Sequence, residues 1–185
     1  SFMSLLMLVC GSIFAQDATI KFADIYGNQT ISGIDQKGEK VVGDITLTFA
    51  KGNSNTAPAY NKAEEIRLYG GKSETKLDGN TFVVKAKKNM TRIQLTAPAK
   101  SDKPIGTLKA SVGTITEDAA HNITWTGDAQ QVTFTSYRNA SDPKTSTQTR
   151  YKTMAVYYVG TKVLEEAGLQ FSVATVDHEL GTTFV

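Results

Sequence analysis

The chain has 185 residues, with 20 lysines and arginines against 18 aspartates and glutamates, giving a formal net charge of +2 at pH 7. This length suits one ordinary domain, about 100–150 residues, with a short additional segment. Because the charge is nearly neutral, neither nucleic acid nor an anionic membrane surface is predicted as a partner.

The first 15 residues are predicted to be a secretory signal peptide. An apolar stretch over Leu5–Phe14 ends at Ala15, which is typical of a signal peptide and its small-residue cleavage site. The stretch is shorter than the about 20 residues of a transmembrane helix, so no integral membrane span is predicted. We therefore expect the mature chain to begin at Gln16 or Asp17 and the protein to be secreted or located at the cell surface.

Cys10 is the only cysteine and lies inside the predicted signal peptide. Lipidation of Cys10 is the alternative to cleavage after Ala15, but a small residue should precede a lipidated cysteine and Val9 stands there. The segment starts with Ser1 and has no basic residue before its apolar stretch. We therefore expect the chain to be a fragment that begins a few residues late.

Residues 17–160 are predicted to form one β-sandwich domain. Thr, Val, Ile, Phe and Tyr recur at alternate positions, which is typical of half-buried strands. The clearest stretch is Val42–Ala50, where Ile45, Leu47 and Phe49 face one side. The other predicted strands are Thr19–Ala23, Glu65–Tyr69, Thr81–Ala86, Arg92–Thr96, Asn122–Trp125, Gln131–Ser136 and Arg150–Val159.

Turn residues separate these strands. Asp78-Gly79-Asn80 predicts a hairpin turn, because Asp and Gly accept the positive φ of a tight turn. Other reversals or loops are predicted at Gly70-Gly71, Gly127-Asp128, Lys51-Gly52-Asn53 and Ser141-Asp142-Pro143. Short helical turns are expected only at Lys62–Ile66 and Lys162–Ala167.

Short strands without long helical patterns between them predict an all-β fold, an antiparallel β-sandwich of jelly-roll-like type. Alternation also predicts which side chains point into the core. They are Ile45, Leu47, Phe49, Val84, Trp125, Phe134 and Val156.

The residue pattern changes after Val159. Residues 161–168 are predicted to be a linker, and a strand pattern resumes at Leu169–Val173. A strand that starts so near the end of the chain has no partner within it. We therefore expect residues 169–185 to be the truncated start of a second domain.

Residues that commonly carry catalysis are sparse. His121 and His178 are the only histidines, and Cys10 would leave with the signal peptide, so neither a zinc site nor a cysteine nucleophile is predicted. His121 is expected to be a turn residue with local hydrogen bonds. Three adjacent carboxylate pairs are expected to be solvated surface residues, because neighbouring positions point in different directions. They are Glu64-Glu65, Glu117-Asp118 and Glu165-Glu166. The sequence therefore predicts that the protein is not an enzyme.

No cofactor is predicted. A structural Ca²⁺ is the alternative left open, because Asp24, Asp128 and Asp142 lie in or near predicted loops and Ca²⁺ binds carboxylate and carbonyl oxygens. No stretch of the chain resembles an EF-hand loop, so no metal ligand is assigned.

Arg67 and Tyr69 are the candidate ligand-binding residues. Alternation puts them on the strand face opposite Ile66 and Leu68, with the glycines of Gly70-Gly71 next along the chain. An exposed ring beside a guanidinium could stack on a sugar and donate hydrogen bonds to its hydroxyls. The alternative is that both faces of this strand are covered. Trp125 shares its face with Ile123 and is expected in the core.

A resemblance to a known type of domain is carried by four stretches, Ile45–Gly52, Ala57–Tyr60, Ile66–Gly71 and Ile123–Gly127. They resemble a β-rich domain that recurs in large secreted proteins of gut and oral Bacteroidetes, and Ser12–Gln16 is similar to signal peptides of these bacteria. The tail over residues 171–184 resembles the opening of a bacterial immunoglobulin-like domain. The resemblance covers most of residues 17–185 and implies no catalytic residues.

Two functions fit these expectations. The first is a non-catalytic extracellular module of a bacterial surface protein, for adhesion or glycan contact, with a glycan or a host or cell-surface protein as partner. The second is a structural spacer in a multidomain secreted enzyme whose catalytic part lies outside this chain. Aromatic side chains exposed together in a groove would favour the first function. Nothing in the sequence indicates an oligomeric state.

Overall fold

The structure, a computed structural model, describes residues 18–63, 65–99 and 105–158. The predicted signal peptide over residues 1–15, the linker over 161–168 and the start of a second domain over 169–185 lie outside the described residues. Within those residues the elements are β1 (Ala18–Lys21), α1 (Phe22–Tyr26), β2 (Ile31–Ser32), a 3₁₀ turn (Ile34–Lys37), β3 (Lys40–Val42), β4 (Ile45–Ala50), β5 (Ala59–Asn61), β6 (Glu65–Tyr69), β7 (Asp78–Thr96), β8 (Thr107–Ala110), β9 (Thr114–Glu117), β10 (Ile123–Tyr137), β11 (Gln148–Tyr151) and β12 (Thr153–Tyr158).

Two antiparallel sheets pack against each other, which confirms the predicted all-β sandwich. The large sheet is built on the long strands β7 and β10, which pair along most of their length. One half of β7 also pairs with β4 and the other half with β12, while β10 also pairs with β8 and β9. The small sheet has the strand order β11-β6-β5-β2.

The core lies between the two sheets and contains all seven side chains predicted to point inward. Its centre in the large sheet is a row of three phenylalanines on adjacent strands. The ring centroids of Phe49 and Phe82 are 5.7 Å apart, and those of Phe82 and Phe134 are 5.0 Å apart. Burying each such ring contributes about 1.5–3 kcal/mol to folding, so this row fixes the register of β4, β7 and β10.

The predicted hairpin turn at Asp78-Gly79-Asn80 is wrong, because these residues begin β7. Asn80 is fully buried and its amide bridges three chain segments. Its Oδ1 accepts from the backbone N–H of Tyr69 at 2.8 Å, and its Nδ2 donates to the carbonyl oxygens of Lys51 and Thr56 at 2.8 and 2.9 Å. Asn therefore stands here as a buried hydrogen-bonding residue and not as a turn former.

The predicted reversal at Gly127-Asp128 is also wrong, because both residues lie inside β10 at a shift in its pairing with β7. A Cβ added at Gly127 would lie 2.5 Å from Cζ2 of Trp125. The indole is fully buried and its Nε1 donates to the carbonyl oxygen of Val112 at 2.6 Å. The glycine therefore allows the strand to pass directly over the indole ring.

The predicted strand boundaries differ from the structure in three further places. The stretches Thr81–Ala86 and Arg92–Thr96 are parts of the single strand β7, and Asn122–Trp125 and Gln131–Ser136 contribute to the single strand β10. The stretch Arg150–Val159 is divided between β11 and β12, with Val159 outside the described residues.

The helical segments also differ from those predicted. The short α1 follows β1 where a continuous strand to Ala23 is predicted. No helix forms over the described residues of Lys62–Ile66, where β6 begins. The other predicted helical turn, Lys162–Ala167, lies outside the described residues.

Candidate binding site at the edge of the small sheet

Arg67 and Tyr69 lie on β6, on the face of the small sheet that points away from the core. Ile66 and Leu68, which alternate with them, are fully buried. The alternation predicted for this strand is therefore confirmed. Both Arg67 and Tyr69 are half-buried, whereas Trp125 is fully buried in the core as predicted. Their role in ligand binding stays a prediction.

A buried carboxylate fixes the position of Arg67. The Nε and Nη2 atoms of Arg67 lie 2.8 and 2.7 Å from Oε1 of Glu65, and Nη1 of Arg150 lies 3.4 Å from the same oxygen. The side chains of Glu65 and Arg150 are only 4% and 9% exposed. One carboxylate therefore faces two guanidinium groups in a nearly buried position.

Strand β11 extends this polar face at the edge of the small sheet. In the register of β11 and β6, Gln148 lies opposite Tyr69 and Arg150 lies opposite Arg67. Paired residues of antiparallel strands point to the same face. The four side chains therefore form one continuous surface beside the edge of the sheet.

A cavity of about 130 Å³ adjoins this surface along β11. We call it the β11 cavity. Its other walls are residues 97–99, residues 105–106, Glu117 and the loop residues 119–121. The polar lining groups are Glu117, His121, Gln148, Thr149, Arg150 and Tyr151, and the apolar ones include Pro98. Four separate chain segments thus bring donors, acceptors and small apolar groups to one cavity.

Asp118 shapes the loop that carries Glu117 and His121 into the cavity wall. Its carboxylate accepts from Nδ2 and the backbone N–H of Asn122, both at 2.9 Å, and from the backbone N–H of Ala120 at 2.8 Å. The hydrogen bond from the Asn122 side chain, with those from the two backbone groups, holds the pKa of Asp118 below its ordinary value. The turn ends at His121, whose φ of 63° lies in the left-handed region.

His121 and Glu117 form a close pair at the cavity wall. Nδ1 of His121 lies 2.6 Å from Oε1 of Glu117, a distance at which a protonated Nδ1 donates to the carboxylate. Behind them, burial raises the pKa of the Tyr151 hydroxyl, and the negative charge of Glu117 raises it further. The Tyr151 hydroxyl therefore stays protonated at neutral pH.

The chain matches no protein-family model, and no curated protein and no solved structure is significantly similar to it. The geometry of the described residues is therefore the basis for any functional assignment.

Two further properties concern the described residues alone. In residues 18–63, 65–99 and 105–158, no group of three or more His, Cys, Asp or Glu side chains is arranged to hold a metal ion. No helix in the same part of the chain is long and apolar enough to cross a membrane.

The sequence indicated part of this site. His121 is a turn residue with local hydrogen bonds, as predicted. Glu117 is exposed, as predicted, and it also lines the cavity. The same expectation for Glu65 is wrong, because Glu65 is only 3% exposed and is paired with Arg67. The participation of Gln148 and Arg150 has no local sequence signal, because it depends on the pairing of β11 with the distant β6.

Proposed function

We propose that the chain is a non-catalytic extracellular β-sandwich module of a bacterial surface protein and that it contacts glycans. The contact surface is the face carrying Arg67 and Tyr69 together with the adjoining β11 cavity. The observation that carries this proposal is the convergence of polar groups from β6, β9, the loop before β10 and β11 on one partly enclosed edge. The apolar stretch ending at Ala15 and the resemblance to secreted Bacteroidetes domains support the location.

The groups at this edge suit the chemistry of sugars. A sugar presents apolar C–H faces and hydroxyl groups that both donate and accept hydrogen bonds. The ring of Tyr69 offers an apolar surface, the guanidinium of Arg67 donates, the carboxylate of Glu117 accepts, and the amide of Gln148 does both. The buried Glu65 holds Arg67 in place, so little side-chain entropy is lost on binding.

The composition of the cavity favours binding over hydrolysis. Glycoside hydrolysis commonly uses two carboxyl groups on either side of the scissile bond. Among the described residues that line the cavity, Glu117 is the only carboxylate. Its Oε1 is also engaged by His121. We therefore propose no catalytic step at this site.

One observation favours the second candidate function, a structural spacer in a multidomain secreted enzyme. The side chains of Glu65 and Arg150 are almost fully buried. A cluster of this kind can have a purely structural role, which is to hold the edge strand β11 against β6. Buried ion pairs also occur in proteins without any role in binding. The two functions differ in whether any glycan binds.

A glycan array probed with the full chain separates them, followed by Tyr69→Ala and Arg67→Lys on any glycan that binds. We expect each variant to weaken binding at least about tenfold, since Tyr69→Ala removes the stacking ring and Arg67→Lys removes the guanidinium donors that do not face Glu65. Tyr137→Ala is the matched control, because Tyr137 is also half-buried but lies on the large sheet. Circular dichroism and thermal unfolding confirm that each variant is folded.

Two results would contradict glycan contact at this face. An array without any bound glycan would leave the spacer function as the better account. Equal weakening by Tyr69→Ala and the control Tyr137→Ala, with Arg67→Lys unchanged, would place the contact elsewhere.

A further inference from the structure

The β11 cavity is too small for a whole sugar ring. Its volume is about 130 Å³, whereas a cavity of roughly 150 Å³ is filled by a single benzene molecule. A group of a few non-hydrogen atoms therefore fits inside, with the rest of a larger ligand remaining on the surface next to Tyr69. The cavity can therefore bind only a small substituent of a larger ligand.

One lining side chain offers hydrogen-bonding groups to the cavity. Gln148 is only 8% exposed as a residue, but its side-chain amide is not among the buried polar atoms that lack a partner. Because Gln148 lines the cavity, its amide can exchange water there for a ligand group. A bound group with both an acceptor and a donor would satisfy it.

The charges around the cavity favour a neutral group. Glu117 and Arg150 line the same small space, and each already faces a partner: Nδ1 of His121 lies 2.6 Å from Oε1 of Glu117, and Oε1 of Glu65 lies 3.4 Å from Nη1 of Arg150. A charged ligand group would be attracted by one of the two lining side chains and repelled by the other. A neutral group that offers a donor to Glu117 and an acceptor to Arg150 is repelled by neither.

Part of the lining is apolar and small. Pro98, Ala119 and Ala120 present short hydrocarbon groups to the cavity. A lone hydroxyl group would leave these walls without a partner, whereas a methyl group would cover them. The ligand group therefore combines a methyl, a hydrogen-bond donor and a hydrogen-bond acceptor.

We infer that the β11 cavity binds the acetamido group of an N-acetylated amino sugar. The methyl group packs against Pro98 and Ala119, the amide N–H donates to Glu117, and the carbonyl oxygen accepts from Arg150 or Gln148. This inference rests on the proposed glycan contact and names the class of sugar. The ring of the same sugar lies at the mouth of the cavity, beside the Arg67 and Tyr69 face.

The test compares two neutral trisaccharides by isothermal titration calorimetry on the full chain. Tri-N-acetylchitotriose carries acetamido groups, and cellotriose carries hydroxyl groups at the same positions. We expect the first to bind at least about tenfold more tightly, which corresponds to one or two buried hydrogen bonds and a packed methyl group.

Cavity-filling variants then locate the preference. Ala119 and Ala120 are exposed loop residues that also line the cavity, so Ala119→Leu and Ala120→Leu are expected to fold and to reduce the preference to about twofold or less. Gln148→Leu should have the same effect by removing the amide. Ala140→Leu, at an exposed alanine in another loop, is the matched control and should retain the full preference.

Each outcome is decisive. Equal affinity for the two trisaccharides, or a preference that survives both cavity-filling variants, would overturn the acetamido assignment while leaving glycan contact intact. Equally tight binding of an N-acetyl-lysine peptide would overturn the assignment to a sugar. Absence of binding to these sugars and to every glycan on the array would overturn the proposed function as well.

Discussion

Asn80 shows how one buried side chain connects the two ends of a loop. Its amide makes three hydrogen bonds, to the backbone of Tyr69, Lys51 and Thr56, and it is fully buried. Because the Asn80 side chain is fully buried, its removal takes a partner from all three backbone groups and lowers the free energy of unfolding. The loop over residues 51–56 and the end of β6 therefore depend on this one residue.

We predict that Asn80→Ala lowers the free energy of unfolding by about 2–4 kcal/mol, from the loss of the three hydrogen bonds of a fully buried side chain. Asn89→Ala is the control, because its hydrogen bond to Asp128 is exposed and its loss should change stability by less than about 0.5 kcal/mol. Urea denaturation followed by circular dichroism measures both. Equal values for the two variants would show that the buried amide does not hold the loop.

Tyr26 and Tyr60 differ in whether the hydroxyl group has a hydrogen-bond partner. Their rings are in contact, with centroids 4.9 Å apart. The Tyr60 hydroxyl donates to the carbonyl oxygen of Gly27 at 2.9 Å. The buried hydroxyl of Tyr26 has no hydrogen-bond partner among the described residues. Burial also raises the pKa of Tyr26 from 10.0 to about 12.

We predict opposite effects of removing these two hydroxyls. Tyr26→Phe should leave the free energy of unfolding unchanged or raise it by up to about 1 kcal/mol, because an unsatisfied polar group is removed. Tyr60→Phe should lower it by about 1 kcal/mol, since the carbonyl oxygen of Gly27 loses its donor. Thermal or urea unfolding of the two variants and the wild type at pH 7 measures both changes. A larger loss in Tyr26→Phe than in Tyr60→Phe would contradict the assignment.

The raised pKa of Tyr26 also predicts a dependence of stability on pH. A tyrosine whose pKa is higher in the folded than in the unfolded chain favours unfolding once the unfolded chain ionises. The contribution of Tyr26 to stability is therefore complete below pH 10 and is lost as the pH rises toward 12. We expect a smaller loss between pH 9 and pH 11.5 in Tyr26→Phe than in the wild type, measured by urea denaturation. Identical losses of stability in the wild type and in Tyr26→Phe would show that Tyr26 does not contribute to this pH dependence.

At the scale of elements, the passage of β10 over Trp125 depends on Gly127. A Cβ at this position would lie 2.5 Å from the indole ring, so the strand or the ring must move. We predict that Gly127→Ala lowers the free energy of unfolding by about 1–3 kcal/mol, as overpacking does in other cores. The cost should be smaller in a Trp125→Phe background, because the smaller ring leaves room. If Gly127→Ala destabilises the Trp125→Phe variant as much as it destabilises the wild type, the contact with the indole is not the source of the destabilisation.

The core-facing residues could be predicted at this scale, but the long strands could not. Alternation of apolar and polar residues is a local property, so Ile45, Leu47 and Phe49 were assigned correctly. Gly127-Asp128 and Asp78-Gly79 carry the residue types of turns, but here a close contact with the indole and a buried amide determine the conformation. These contacts join residues far apart in sequence, and local patterns do not contain them.

At the scale of the whole molecule, the candidate site is a product of strand order. The cluster of Glu65, Arg67 and Arg150 exists because β11 pairs with β6. The β11 cavity exists because residues 97–99, residues 105–106 and the loop before β10 reach the same edge. Sequence alone could place Arg67 and Tyr69 on one face of a strand, but not bring Gln148 and Arg150 beside them.

Glycan binding beside β11 is tested most directly by a nuclear magnetic resonance titration of the ¹⁵N-labelled full chain with the glycan that binds best on the array. We predict that the largest shifts occur in the backbone amides of residues 117–122 and of β11, followed by those around Arg67 and Tyr69. Amides of β4 on the far side of β7, near Thr48, should change little. Largest shifts around Thr48, or no shifts at a glycan concentration that saturates binding on the array, would contradict the assignment of this edge as the binding site.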